Sequence, residues 1–184
     1  MMEYYFDTSS LVALARYYHP FDKEGKLLGF IRTKFQNKEI VILDVILNEA
    51  RYISNGVVLK SYPFVEEHKD LIVNTKEMMP FSTKKFGNMV DKNFAVAAQV
   101  NNGKINYSII KQKFLESGDG KLILTMFNRL HDDQDAEICI VTEESRFSND
   151  GKGFKKIPAL CSMLGARCIT LTDYLSTTSF RVDM

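Results

Sequence analysis

The chain has 184 residues, of which 45% are hydrophobic and 26% charged, with a formal net charge of +1. That length allows one domain with a real core, and the near balance of charge gives no bulk footprint for nucleic acid, although a local basic rim stays compatible with it. No run approaches the roughly 20 apolar residues of a membrane span. The start Met1-Met2-Glu3-Tyr4 lacks a secretory pattern, and Cys139, Cys161 and Cys168 show no CxxC spacing. The expectation is a cytoplasmic protein with reduced thiols, no membrane contact and no zinc centre.

The first predicted element is a short strand at about residues 3–7, followed by Thr8-Ser9-Ser10, which are good helix N-caps. Leu11 begins a helix that fails near Pro20. Leu27, Leu28, Ile31 and Phe35 give helical spacing within a predicted helix over 22–37. A second strand, about 39–43, leads to Asp44 as the N-cap of a helix reaching about Ser54, where Asn55-Gly56 stops it. Residues 57–118 carry helical patterns near 63–73, 88–100 and 105–116, broken by Pro80 and Asn101-Asn102-Gly103. They predict a helical insert over one edge of a sheet.

Asp119-Gly120 precedes a helix over 121–130, and His131-Asp132-Asp133-Gln134-Asp135 predicts a solvated loop before a strand at about 137–142. A glycine-containing loop (149–153) precedes a helix from Ile157-Pro158 to near Gly165, with Pro158 suited to a first helical position, and residues 167–171 form a last strand. Strands alternating with helices predict an α/β fold, a three-layer α/β/α sandwich with a central parallel sheet. It forms a single domain over 1–184 with 57–118 inserted in it.

In this architecture four acids fall where strands end or helices begin: Asp7, Glu49, Asp119 and Glu144. Ligands of open parallel sheets collect outside the carboxyl ends of the strands. Carboxylates gathered there repel one another unless a cation lies between them. The pattern therefore predicts a Mg²⁺ or Mn²⁺ site, and with it phosphodiester chemistry, since such ions activate water, neutralise phosphate and stabilise a leaving oxygen.

Each acid has a plainer reading. Asp7 and Asp119 could cap helices, and Asp44 is read as a cap. Glu49 shares a helix face with Val45 and Ile46, where an unpaired carboxylate is costly to bury. Glu143 and Glu144 are ambiguous by one position, because residues leaving a strand alternate sides and only one should reach the site. Lys152, Lys155 and Lys156 follow in a loop that could reach phosphates at the rim, with a solvated loop as the alternative. No GxxxxGK[ST] or GxGxxG follows a strand, which excludes P-loop and dinucleotide readings. Ser9 stands where an aspartyl-phosphate phosphatase carries its second Asp. His19, His68 and His131 lie in unrelated contexts.

These blocks together resemble the PIN-domain nucleases. Tyr5-Phe6-Asp7-Thr8-Ser9-Ser10-Leu11 is similar to the family's first-strand block, and Glu49 falls where its second acid stands. Ser117-Gly118-Asp119-Gly120-Lys121-Leu122 matches the third acid, and Ile140-Val141-Thr142-Glu143-Glu144 the strand ending that carries the fourth, which places it at Glu144. The stretch Lys156-Ile157-Pro158-Ala159-Leu160-Cys161 and then Gly165-Ala166-Arg167-Cys168-Ile169 is similar to a PIN-like branch of bacterial proteins of unassigned function.

The resemblance covers about residues 3–55 and 117–175. It implies a Mg²⁺/Mn²⁺-dependent endoribonuclease, often the toxin of a toxin–antitoxin pair and often a homodimer. Asp7, Glu49, Asp119 and Glu144 would be its catalytic and metal-binding acids, with Ser9 and Thr142 in support. Two departures stand out: residues 57–118 exceed the compact toxins, and the fourth acid is Glu where Asp is commoner. The competing expectations are a catalytically silent PIN-like module that binds RNA or a protein, and a structure-specific DNA nuclease.

Overall fold

The computed structural model describes residues 2–97, 106–145, 153–178 and 180. Four strands, β1 (Glu3–Phe6), β2 (Ile40–Val41), β3 (Ile138–Val141) and β4 (Arg167–Ile169), form one sheet in the order β2-β1-β3-β4. All three pairings are parallel, with Tyr4 opposite Ile40, Tyr5 opposite Ile140 and Ile140 opposite Cys168. Helices cover both faces, and the fold is a three-layer α/β/α sandwich. β3 is buried along its whole length, as a continuous apolar run in a two-sided parallel sheet requires.

The chain leaves β1 for β2 on one side and returns to β3 on the other. The gap between the carboxyl ends of β1 and β3 is thus the point where the strand order reverses, the usual place for a ligand in such sheets.

Local sequence explains the element boundaries. Helix α1 (Thr8–Ala13) is capped by Asp7, not by one of the hydroxyl residues after it. Those three residues have already entered the first turn, while Asp7 keeps the extended backbone an N-cap needs, at φ −78° and ψ 159°. A π turn (Leu14–Tyr18) and a 3₁₀ turn (His19–Phe21) then carry the chain past Pro20.

Helix α2 (Lys26–Gln36) begins later than Asp22, because Gly25 adopts a left-handed conformation at φ 69°. Asp22 instead accepts hydrogen bonds from the Leu27 and Leu28 amides at 3.0 and 2.8 Å, capping the helix from outside it. Leu27, Ile31 and Phe35 form its buried stripe.

Helix α3 (Asp44–Tyr52) has Leu43 at its cap position, so Asp44 lies inside the first turn. Its carboxylate ties down Thr75 through the backbone amide (3.0 Å) and the hydroxyl (2.6 Å). Ser54, Asn55 and Gly56 all take positive φ after α3, which ends the helical path.

The described part of 57–118 holds short helices, α4 (Val57–Ser61), α5 (Phe64–Glu67) and α6 (Thr83–Met89), then a π turn (Val90–Phe94) and α7 (Tyr107–Glu116). Val73 runs parallel beside Leu43 at the outer edge of β2. The Asn101-Asn102-Gly103 break lies outside the described residues.

Helix α8 (Gly118–Asp132) is longer at both ends than the sequence predicts. Its cap is Ser117, whose hydroxyl accepts from the Gly120 amide at 3.2 Å. Gly120 is fixed by a close approach: a Cβ there would collide with the Phe114 carbonyl at the end of α7. His131 and Asp132, expected in a loop, extend the last turn of α8, and the exposed polar loop is confined to Asp133, Gln134 and Asp135. Helix α9 (Ile157–Leu164) holds Pro158 in its first turn and ends at Gly165 with φ 71°. Helix α10 (Leu171–Thr177) closes with a capping box between Thr170 and Asp173. Among the described residues, no helix is long and apolar enough to cross a membrane.

Candidate metal and nuclease site

The end of β1 delivers Asp7 into a buried position at the sheet edge, 4% exposed. One carboxylate oxygen, Oδ1, accepts from the Thr8 amide at 2.6 Å. The other, Oδ2, accepts from the Ser9 hydroxyl at 2.6 Å and the Thr142 hydroxyl at 2.9 Å. Ser9 Oγ also accepts from the Glu143 amide at 3.0 Å, and Thr142 Oγ1 from the Glu144 amide at 3.2 Å. The two hydroxyls therefore lock the end of β1 to the chain leaving β3. Burial raises the Asp7 carboxyl above its ordinary 3.8; the two hydroxyls oppose that shift, and the nearby Glu144 charge adds to it.

Glu49, half-buried on α3, is held from two sides. Its Oε2 accepts the Thr8 hydroxyl at 2.7 Å and its Oε1 the Gly118 amide at 2.9 Å. A Cβ on Gly118 would lie 2.8 and 2.9 Å from those same oxygens and 2.6 Å from Ile46 Cδ1, so only glycine allows the carboxylate to reach this amide. Asp119 follows in the first turn of α8, at an inner position instead of the cap.

Glu143 and Glu144 both reach the site, contrary to the alternation expected of a strand. β3 ends at Val141, so the alternation rule no longer applies two residues later. Glu143 Oε1 accepts the Leu171 amide at 2.8 Å, and Glu144 Oε2 accepts the Ile157 amide at 2.9 Å. Glu49, Glu143 and Glu144 thus each dock on the first amide of a helix, namely α8, α10 and α9, while Asp7 caps α1. The positive end of each helix offsets part of the charge brought there.

Asp7, Glu49, Asp119, Glu143 and Glu144 line one open pocket of about 460 Å³, with Thr8, Ser9, Val12, Ala13, Tyr17 and Ile53 as its other walls. All four acids singled out in the sequence are there, Ser9 lines the pocket, and Thr142 lies behind it, 2% exposed. Glu143, the alternative to Glu144 where alternation allowed only one of the two and the resemblance favoured Glu144, joins them. Among the described residues, those lining the pocket include no Lys, Arg or His.

Two of the three lysines expected at the rim, Lys155 and Lys156, are engaged elsewhere. Lys155 donates from Nζ to the Asn93 carbonyl at 2.6 Å, and Lys156 is only 9% exposed at the cap position of α9. Neither lines the pocket, and Lys152 lies outside the described residues. The packing of 153–156 against Phe94 and Val96, by hydrogen bonds from Lys155 N to Phe94 O and from Val96 N to Gly153 O, draws this segment inward.

The donor set fits a hard divalent ion: it consists of carboxylate and hydroxyl oxygens, and one member is a buried acid whose charge is disfavoured beside another acid. Among the described residues, no three His, Cys, Asp or Glu side chains converge as an ion cage. Mg²⁺ commonly takes one or two carboxylates and keeps its waters, so such a cage is not a condition for binding. A second cleft, of about 500 Å³ between α9 and β4, is lined by Cys161, Ser162, Arg167 and Cys168 among others, with no carboxylate among the described residues that line it.

A family model described as Domain of unknown function (DUF4411) matches residues 4–182. The chain belongs to that family. Every acid of the pocket falls within the DUF4411 match. None of the curated proteins matches the chain.

Proposed function

We propose that this DUF4411 chain is a divalent-metal-dependent nuclease that hydrolyses RNA phosphodiester bonds, the activity implied by the PIN-domain resemblance of its acidic blocks. The observation that carries this reading is the meeting of Asp7, Glu49, Asp119 and Glu144, from separate elements, in one pocket at the switch point of the sheet. Asp7, Glu49 and Asp119 would hold Mg²⁺ or Mn²⁺, with Glu144 as fourth acid. When bound, the ion supplies charge neutralisation at the phosphate and a more acidic water.

The chain's own groups do the rest. Ser9 and Thr142 fix the Asp7 carboxylate through Oδ2, and Thr8 with the Gly118 amide fixes that of Glu49, so two acids are held before a ligand arrives. Glu143 and Glu144 border the same space and can accept a proton there. The acidic lining repels phosphate when no cation is present, which makes substrate binding depend on the ion.

A second reading, a silent module that binds RNA or a protein, is favoured by one observation: Glu49, Glu143 and Glu144 already serve helix N-termini. The test that separates the two is incubation of labelled single-stranded RNA, structured RNA and single-stranded DNA with Mn²⁺ or Mg²⁺, with and without chelator. Chelator-sensitive cleavage of RNA supports the nuclease. Cleavage of DNA alone moves the substrate class, and binding without cleavage supports the silent module. An antitoxin-like protein and a second copy of the chain are the partners the resemblance implies.

A further inference from the structure

One wall of the acidic pocket is apolar and partly exposed. Val12 and Ala13 come from the end of α1, Tyr17 from the π turn that follows, and Ile53 from just beyond α3. The backbone explains why they gather. A π turn closes hydrogen bonds between residues five apart, as His19 N does with Leu14 O, which brings Tyr17 round to the side of Val12. Ile53 follows Glu49 by one helical turn and so flanks the same carboxylate. Tyr17 is 66% exposed and Ile53 43% exposed although both line the cavity. Such large apolar groups beside a set of carboxylates are not needed to bind an ion.

From this juxtaposition we infer that Tyr17 is a base-stacking residue: the nucleobase next to the scissile phosphodiester lies against the Tyr17 ring, with Ile53 and Val12 at its edges. The inference rests on the nuclease reading of the same pocket. A phosphodiester drawn to the acids by a cation carries its base only a few bonds away. The cavity of about 460 Å³ has the size of sites that enclose small organic ligands. One aromatic ring with two aliphatic neighbours matches one base, whereas a stable protein partner needs about 800 Å² on each side.

Aromatic stacking accepts any base, because each has a π face. In a duplex those faces are covered by neighbouring pairs, so only an unpaired nucleotide can stack on Tyr17. Tyr17 is therefore a positioning residue that selects single-stranded segments without selecting a sequence.

The test combines Tyr17→Ala and Tyr17→Phe with RNA oligonucleotides that are intact, abasic at the nucleotide beside the cleaved bond, or paired into duplex. Cleavage is read in Mg²⁺ or Mn²⁺, and equilibrium binding by fluorescence anisotropy with Ca²⁺ in place of Mg²⁺. Because Tyr17 is largely exposed, both variants should keep the wild-type circular dichroism. Tyr17→Ala should weaken binding and raise KM by about tenfold or more, the effect expected for loss of one stacked base, with kcat changed much less. Tyr17→Phe should stay within about twofold of wild type.

The abasic oligonucleotide should cost the wild type the same factor and cost Tyr17→Ala nothing further, because both remove one contact. Full activity of Tyr17→Ala, multiplying effects of the two changes, or preference for duplex would overturn the stacking role while leaving the nuclease intact. A wild type that binds with this coupling but never cleaves would keep the stacking role and remove the nuclease. Absence of both binding and cleavage would remove both, and a Tyr17→Ala effect on self-association alone would make this wall a protein interface.

Discussion

Glu49 Oε1 accepts the Gly118 amide at 2.9 Å across 69 residues of chain, and the missing Cβ of Gly118 is what leaves room for it. Gly118→Ala should therefore act on stability and on the site together. Its methyl would press on Ile46 and on the Glu49 carboxylate, and overpacking of this kind costs about 1–3 kcal/mol. Urea denaturation would read the loss, and Mn²⁺ titration would read weaker binding as Glu49 is displaced. Wild-type values for both would show that α8 can move away at no cost.

The Asp7 carboxyl is buried and its pKa is raised. An acid that holds its proton more tightly when folded adds stability that is complete below its unfolded value of about 3.9 and is lost as pH rises through the higher folded value. In chelator, wild-type stability should thus carry a component that declines with pH above the ordinary carboxylate range, and Asp7→Asn should lack it. Saturating Mg²⁺ at neutral pH should raise the wild-type Tm and leave that of Asp7→Asn nearly unchanged. Identical pH profiles for the two proteins would mean that Asp7 titrates as an ordinary acid.

Ser9 Oγ and Thr142 Oγ1 share Asp7 Oδ2 and lie 3.1 Å apart. Ser9→Ala and Thr142→Val should each lower metal affinity, by about tenfold or more, as loss of a hydrogen bond to a ligating carboxylate does. Thr142→Val should also cost about 1–2 kcal/mol of stability, since it strips a buried acceptor of its donor. The double variant should lose less than the sum, because both hydroxyls serve one oxygen. Strict additivity in Mn²⁺ affinity would show that they act separately.

Glu143 and Glu144 can be ranked by substitution with glutamine, which keeps a carbonyl to accept the Leu171 or Ile157 amide and so preserves the helix starts. Glu144 is the one whose charge acts on Asp7. Glu144→Gln should lower kcat by about tenfold or more, and Glu143→Gln by less. The reverse order in steady-state kinetics would make Glu143 the fourth acid.

The sheet and the acids were legible because both rest on strong local signals. Ile138-Cys139-Ile140-Val141 reads as a buried parallel strand and is one; Asp7 and Glu144 follow strands that the apolar runs define, Asp119 lies in the first turn of α8, and Glu49 sits in the helix after β2. What eluded the sequence depends on neighbours distant along the chain. Asp44 looks like a cap but is bound to Thr75. Lys155 and Lys156 look like a surface pair, yet contacts to 93–96 draw their segment in. Glu143 and Glu144 look like alternatives under an alternation rule that ends with the strand at Val141, so both reach the pocket. Between 57 and 97 the patterns near 63–73 and 88–100 suggest longer helices, whereas the chain forms helices of four to seven residues joined by π and 3₁₀ turns, too short for an apolar period to fix their bounds. Their core contacts combine buried valines (Val58, Val65, Val90) with aromatic pairs such as Phe35 on Phe64 and Phe86 on Phe127.

The most direct test is cleavage of one labelled single-stranded RNA by wild type and Asp7→Asn, purified side by side and assayed in Mn²⁺ with and without chelator. A metal nuclease built on this pocket should cleave only as wild type with the ion present, and Asp7→Asn should fall by at least about a hundredfold while keeping a folded circular dichroism spectrum. Equal cleavage by the two proteins, or cleavage that survives chelation, would contradict it.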